Sequence, residues 1–149
     1  MKREQYEKEL SKSLLQRVKR HEGFSAEPYV DSLGHITIGY GHKIESMSTV
    51  QAEGQLIHDL NIALIGAVDL FYPDIWPTLN QVRKDVLTEM VFQLGKNGVS
   101  KFVKMKAALE KEDYQEAANQ MILSRWYEQT TNRCVTLAGM MRSGLPEQP

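Results

Sequence analysis

The sequence predicts an α+β protein that is mainly helical, and three observations support this. Apolar residues recur at helical spacing through most of the chain, one short stretch alternates as a strand does, and turn-forming residues separate the two patterns. With 149 residues, 42% of them hydrophobic and 25% charged, the chain is long enough to bury one ordinary core. We therefore expect a single domain, residues 1–149, pinched into two lobes.

The N-terminal segment is highly charged, and its apolar residues form one stripe of a helix that continues to Glu22. The stripe consists of Tyr6, Leu10, Leu14, Leu15 and Val18. Charged residues interrupt every apolar run that could span a membrane or form a signal core, so we expect neither an anchor nor an export signal. Residues Met1 to Ser11 are expected to form a helical extension packed by Tyr6 and Leu10.

A small β-hairpin lobe is predicted over about residues 22–47. Pro28 and the Asp31–Gly34 segment break the helix and supply a turn. Ile36–Thr37–Ile38 then alternates like a strand, and the glycines at 39 and 41 suit close backbone approach or a bulge.

A long helix follows, over about residues 48–72, because Ser48 and Gln51 make a capping box ahead of a sustained apolar repeat. The repeat consists of Leu56, Leu60, Ala63, Leu64, Ala67, Val68 and Phe71. At about 1.5 Å per residue this helix would span some 36 Å, which is enough to bridge two lobes.

The remainder, about residues 73–143, is predicted to be a helical lobe, to which the N-terminal helix is also assigned. Its helix boundaries are marked by Asn80 and Gly95, by a further helical pattern near 100–111, by the capping box of Asp113 and Glu116, and by Thr131 or Asn132 with Gly144. Five methionines are expected to fill the core rather than to bind a ligand, namely Met90, Met105, Met121, Met140 and Met141.

Composition excludes several classes of function. The net charge of -1 argues against nucleic acid as the main partner. The single cysteine, Cys134, excludes an intramolecular disulfide, and no Cys/His cluster or phosphate loop is present, so we expect no metal and no cofactor. Lys96, Lys101, Lys104 and Lys106 are interpreted as a solvated helix face.

Two carboxylates and one hydroxyl cluster near the predicted hairpin. Eight residues separate Glu22 from Asp31, and five separate Asp31 from Thr37. Glu22 extends the apolar helix face, and partial burial would raise its pKa, as a general acid near neutral pH requires. Taken alone, Glu22 is more often a helix-end carboxylate held by an arginine, and Asp31 a turn-former. Together with Thr37, however, Asp31 could hold an attacking water opposite Glu22.

Three stretches resemble the phage-type lysozymes, the family of the T-even phage enzyme, in the same order. They are the segment from Glu22 to His42, Val91–Gly95 and Ser124–Arg133, and the resemblance covers roughly residues 12–143. It implies a lysozyme-like two-lobed fold, with the small lobe and the helical lobe joined by the long helix. The chain differs from the T-even relative in having fewer residues between His42 and Ser48 and in carrying Met105 where that relative has a small hydroxyl.

The resemblance also implies roles for individual residues. Glu22, Asp31 and Thr37 match the catalytic positions, and Phe92, Gln93 and Gln120 match positions that contact substrate. The supporting positions are Arg133, which pairs with the catalytic Glu, and His42, which pairs with Asp59.

The function that follows is an endolysin muramidase. It would hydrolyse the β-1,4 bond between N-acetylmuramic acid and N-acetylglucosamine in peptidoglycan. The reaction would use no metal or cofactor and would invert the configuration of the anomeric carbon. Glu22 would protonate the leaving oxygen, and Asp31 with Thr37 would activate water from the opposite face. Two alternatives stay open: a lytic transglycosylase, which needs the acid but no water-activating carboxylate, and an inactive wall-binding or virion module.

The resemblance to phage endolysins also sets expectations about partners and location. We expect a monomer whose partner is peptidoglycan, with no nucleic acid and no stable membrane association. It should remain in the host cytoplasm until a holin releases it to the periplasm.

Overall fold

The computed structural model describes residues 11–147, and the chain divides into two compact units between Thr49 and Val50. The architecture is mainly helical α+β, which confirms the predicted fold class. The first unit contains α1 (Lys12–Glu22), β1 (Ser25–Val30), β2 (Ile36–Gly39) and β3 (His42–Lys43). The predicted helical extension with Tyr6 and Leu10 lies outside the described residues, apart from Ser11.

Helix α1 is bounded by local capping at both ends. The side chain of Ser11 accepts a hydrogen bond from the main-chain N–H of Leu14 at 3.1 Å. Three basic residues, Lys19, Arg20 and His21, occupy the last turn, where positive charge interacts favourably with the helix dipole. Gly23, with φ of +69°, ends the helix and donates its N–H to the carbonyl of Lys19 at 3.0 Å. Glu22 therefore stands at the very end of a well-capped helix.

The three strands form one antiparallel sheet in the order β1-β2-β3. Thr37 lies on the central strand, opposite Tyr29 of β1 and Lys43 of β3. The register of β1 is irregular between Ser25 and Tyr29, the stretch that contains Pro28. A proline is tolerated there because β1 is an edge strand of this sheet and proline cannot donate to a ladder.

Helix α2 (Thr49–Phe71) begins at the boundary between the units and matches the predicted long helix closely. The second unit continues with a 3-10 turn (Trp76–Thr78), α3 (Gln81–Ser100), α4 (Val103–Glu110), α5 (Tyr114–Ile122), α6 (Arg125–Gln129) and α7 (Thr131–Ser143). The predicted N-caps at Asn80 and Asp113 are confirmed, because their side chains each accept from a main-chain N–H three residues on, both at 3.0 Å. Gly144 ends α7 in the left-handed region.

The core of the second unit lies between these helices. Its largest fully buried side chains are Ile75, Leu87, Met90, Met105, Leu109, Met121, Met141, Val86 and Cys134. Met140 is partly buried and packs against this core, so the methionines fill it as predicted. Burial raises the pKa of the Cys134 thiol to about 11, and its Sγ donates to the carbonyl of Met121 at 3.4 Å.

Two helical features differ from the sequence expectation. Helix α3 is interrupted at Gly95, whose φ of +73° and ψ of 161° are not helical, but helical structure resumes and runs to Ser100. The short helix α6 was not predicted at all. Helix α1 is grouped with the sheet in the first unit, and its predicted assignment to the helical lobe stays a prediction.

None of the helices within residues 11–147 is both long enough and apolar enough to cross a membrane.

Candidate active site

Glu22, Asp31 and Thr37 all lie in the first unit, on consecutive parts of the chain. Glu22 is the last residue of α1, Asp31 directly follows β1, and Thr37 is on the central strand β2. The sequence places a helix end, a turn and a strand in succession, so each side chain is held by a different kind of local structure.

The carboxylate of Asp31 is fixed by the main chain of its own turn. Its Oδ1 accepts from the N–H of Leu33 at 2.9 Å and from the N–H of His35 at 2.8 Å, and its Oδ2 lies 3.4 Å from His35 Nδ1. The hydrogen bond from the His35 N–H is the main cause that lowers the pKa of Asp31 below its ordinary value of 3.8; partial burial opposes this effect, and the Leu33 N–H and the His35 ring reinforce it. Asp31 is thus kept as a carboxylate.

Thr37 is tied to the same turn. Its hydroxyl donates to the carbonyl of His35 at 3.2 Å, and this carbonyl also accepts from the N–H of Asp31 at 2.8 Å. The side chain of Thr37 is buried, at 2% exposure. The main chain of His35 therefore links the carboxylate of Asp31 to the hydroxyl of Thr37.

Glu22 is exposed, contrary to the expectation of partial burial on an apolar face. The physical reason is its position at the helix end, where its carboxyl lies against the main chain of the β2–β3 turn rather than among apolar side chains. A β-carbon built on Gly41 would lie 2.5 Å from Glu22 Oε2 and 2.9 Å from Cδ. The absence of a side chain at Gly41 makes room for this carboxyl.

His42 and Asp59 lie in different units. His42 is exposed on β3, and Asp59, on α2, accepts a hydrogen bond from Gln55 Nε2 at 2.9 Å. Their proposed pairing stays a prediction.

The two predicted substrate residues on α3 have different surroundings. Phe92 is 38% exposed. Both ends of the Gln93 amide are engaged within the second unit, since Oε1 accepts from Trp126 Nε1 at 2.9 Å and Nε2 donates to Thr130 Oγ1 at 3.2 Å. The Gln93 side chain therefore joins α3 to α6 and to the start of α7.

Gln120 lines a cavity of about 660 Å³ in the second unit. Its Nε2 donates to Glu116 Oε1 at 2.6 Å. Met105 also borders this cavity but is fully buried. Its lining includes the basic residues Lys101, Lys104 and Arg125 and the aromatic residues Phe102 and Trp126.

Arg133, the predicted partner of Glu22, contacts an acid that sequence reasoning missed. Its Nε donates to Glu89 Oε1 at 2.9 Å, and both side chains are about two-fifths exposed, at 42% and 40%. These residues come from α7 and α3, 44 positions apart, so no local pattern could have revealed the pair. Whether Arg133 also pairs with Glu22 stays a prediction.

No group of three or more histidine, cysteine, aspartate or glutamate side chains within residues 11–147 is arranged to hold a metal ion.

Comparison with known proteins adds an independent line of support. The family model for phage lysozyme matches residues 19–143, a span that contains Glu22, Asp31, Thr37 and Arg133. The chain is 29% identical to the probable T4-type lysozyme 2 of Dictyostelium discoideum, over 89% of this chain and 95% of that protein. The probable T4-type lysozyme 1 of the same organism is 28% identical with the same coverage.

The chain is also similar to part of a larger phage protein. It is 26% identical to the pre-baseplate central spike protein Gp5 of enterobacteria phage T4, over 89% of this chain but only 28% of that protein. The family model spans most of the sequence, and this match decides the family. The chain belongs to the phage lysozyme family, and lysozyme-type hydrolysis of peptidoglycan is the activity that this membership supports.

Proposed function

We propose that the protein is a muramidase that hydrolyses the β-1,4 bond between N-acetylmuramic acid and N-acetylglucosamine in peptidoglycan. The observation that carries the proposal is the different surroundings of its two carboxyl groups. Asp31 accepts two main-chain N–H bonds that favour its ionised form, whereas the Glu22 carboxyl rests against Gly41. Acid and base roles are assigned to paired carboxyls by such differences in environment.

In this mechanism Glu22 gives its proton to the glycosidic oxygen as the bond from that oxygen to the anomeric carbon breaks. Asp31 takes a proton from a water as the water oxygen bonds to the anomeric carbon, and the Thr37 hydroxyl helps to position that water. Attack from the face opposite to the leaving group inverts the anomeric centre, for which the two carboxyl groups of a glycosidase stand about 6.5–9.5 Å apart. We further propose that Phe92, Gln93 and Gln120 contact the saccharide.

The direct test is Glu22→Gln. An amide cannot act as the proton donor, and general acid catalysis contributes about a hundred- to ten-thousandfold, so we expect lysis of permeabilised bacteria to fall by that factor. Glu27→Gln is the matched control, because Glu27 is an exposed carboxylate on β1 of the same unit and its replacement makes the same change in charge. Near wild-type lysis by folded Glu22→Gln would refute the proposal.

Product analysis separates hydrolysis from transglycosylation. If Asp31 and Thr37 hold a water, mass spectrometry of digested peptidoglycan should show products that end in reducing muramic acid. A lytic transglycosylase would instead leave the 1,6-anhydro form, and a predominance of that form would refute the role of Asp31 as base.

We propose that in its biological setting the protein is a monomeric phage endolysin, held in the host cytoplasm until a holin opens the membrane. The support is the resemblance to phage lysozymes along most of the chain. A second role, as a wall-degrading part of a virion, is favoured by the similarity to the central spike protein Gp5, in which the matching region is one part of a longer chain.

A further inference from the structure

Within the first unit, the Glu22 carboxyl is located by packing rather than by hydrogen bonds. Within residues 11–49 no hydrogen bond or ion pair of the structure reaches this carboxyl, although Asp31 in the same unit has several. Its close neighbour is Gly41, where an added β-carbon would be 2.5 Å from Oε2, 2.9 Å from Cδ and 3.3 Å from Cγ. The position of the β2–β3 turn therefore limits where the carboxyl can lie.

Tyr40, the residue before Gly41, holds this turn against the end of α1. Its ring centroid is 5.4 Å from that of Phe24, with the planes tilted by 48°, and the ammonium of Lys19 lies 5.3 Å from the same centroid. Lys19 is one helical turn before Glu22, and Phe24 follows the glycine that ends the helix. Aromatic and cation–π contacts thus join Tyr40 to both sides of the residue that carries the acid.

We propose that Tyr40 and Gly41 are positioning residues for the Glu22 carboxyl. Tyr40 fixes the distance between the turn and the helix end, and Gly41 supplies the surface against which the carboxyl rests. This inference depends on the proposed role of Glu22 as the general acid.

Positioning is needed because an exposed glutamate at a helix end has several side-chain conformations of similar energy. A general acid works only when its proton is within hydrogen-bond reach of the leaving oxygen. A displacement of about 1 Å can reduce the rate a hundredfold. Confinement of the Glu22 carboxyl by the surface at Gly41 would therefore increase the rate.

The first test compares Gly41→Ala with Gly39→Ala. Both glycines have positive φ, +74° and +68°, so alanine strains the backbone similarly at the two sites. Only at Gly41 does the new methyl group meet Glu22, since a β-carbon at Gly39 has nothing within 4 Å. We expect Gly41→Ala to reduce kcat on solubilised peptidoglycan by about ten- to a hundredfold with little change in KM, and Gly39→Ala to retain most of kcat.

The second test compares Tyr40→Ala with Tyr40→Phe. Phenylalanine keeps the ring that contacts Phe24 and Lys19, so it should retain wild-type kcat, whereas alanine should lower kcat and leave KM nearly unchanged. Tyr40 is 43% exposed, so its removal leaves no buried cavity. Thermal unfolding of each variant shows whether a loss of kcat comes with a loss of folded protein.

The outcomes separate this inference from the proposed function. Equal kcat in Gly41→Ala and Gly39→Ala would overturn the positioning role of Gly41, and equal kcat in Tyr40→Ala and Tyr40→Phe would overturn that of Tyr40. In either case an inactive Glu22→Gln would still support Glu22 as the general acid. An active Glu22→Gln would overturn the acid itself. If Gly41→Ala fails to fold, the comparison of Tyr40→Ala with Tyr40→Phe alone decides whether the turn positions the Glu22 carboxyl.

Discussion

At the scale of single residues, Asp31 offers a pH-dependent prediction. Because its folded pKa lies below the ordinary value of 3.8, Asp31 adds stability that is fully present above its unfolded pKa and is lost as pH falls through its folded pKa. NMR titration of the Asp31 carboxyl should give a midpoint below 3.8 in the folded protein and a higher one in urea. His35→Gln should raise the folded midpoint only part of the way to the urea value. The variant lacks the imidazole, but the main-chain N–H groups of residues 33 and 35 still donate to Asp31. A folded midpoint at or above the urea value would contradict the geometry of the turn.

Individual residues also show which properties of a site can be predicted from sequence and which cannot. The spacing of Glu22, Asp31 and Thr37 placed them correctly at a helix end, after a strand and on the next strand, because these are local structures; their catalytic roles stay a prediction. The exposure of Glu22 was not foreseen, because it depends on which main-chain segment meets the helix end. The Arg133–Glu89 pair was missed for a similar reason, since it joins α7 to α3.

At the scale of secondary-structure elements, Arg83 of α3 holds the C-terminal end of α7. Its Nε donates to the carbonyl of Met141 at 2.8 Å and its Nη2 to that of Arg142 at 3.2 Å, while its guanidinium lies 3.5 Å from the centroid of the Tyr114 ring. Asn80 Nδ2 also donates to the carbonyl of Gly144 at 2.9 Å. These bonds satisfy carbonyls that a helix end would otherwise leave unpaired.

We therefore predict that Arg83→Ala lowers the free energy of unfolding by about 2 kcal/mol, since hydrogen bonds to charged groups contribute about 1.5–3 kcal/mol. Arg83→Lys should recover only part of this, because an ammonium lacks the planar fork. Arg142→Ala is the matched control: it removes an equal charge from the same helix end but keeps the main-chain carbonyl. Urea unfolding gives the three values, and equal losses in Arg83→Ala and Arg142→Ala would show that the hydrogen bonds contribute little.

The elements were predictable where their boundaries depend on neighbouring residues. Asn80, Asp113 and Gly144 each acts within a few positions, so their caps could be inferred from sequence. Helix α6 has five residues, too few for a helical repeat to show. The continuation of α3 beyond Gly95 was missed because a glycine with positive φ commonly ends a helix, whereas here helical structure resumes after it.

At the scale of the whole molecule, the endolysin proposal predicts how cells respond to the protein. Expressed alone in a Gram-negative host, it should leave growth unaffected until chloroform breaches the membrane, after which cells lyse promptly. The Glu22→Gln variant is the control and should not lyse cells even after chloroform. Prompt lysis without a holin would contradict the proposed cytoplasmic retention. Recovery of the protein in purified phage particles would favour the virion role instead.

Cys134 makes the protein convenient to label. A thiol with a pKa of about 11 is ionised in only about one molecule in ten thousand at pH 7, and Cys134 is also fully buried, so maleimides and similar reagents have almost nothing to attack there. A cysteine introduced at an exposed position, such as Leu33 in the first unit or Val135 in the second, would therefore react alone, without removal of the native one. Fluorophores attached at both positions would measure, by energy transfer, the distance between the two labelled residues with and without peptidoglycan.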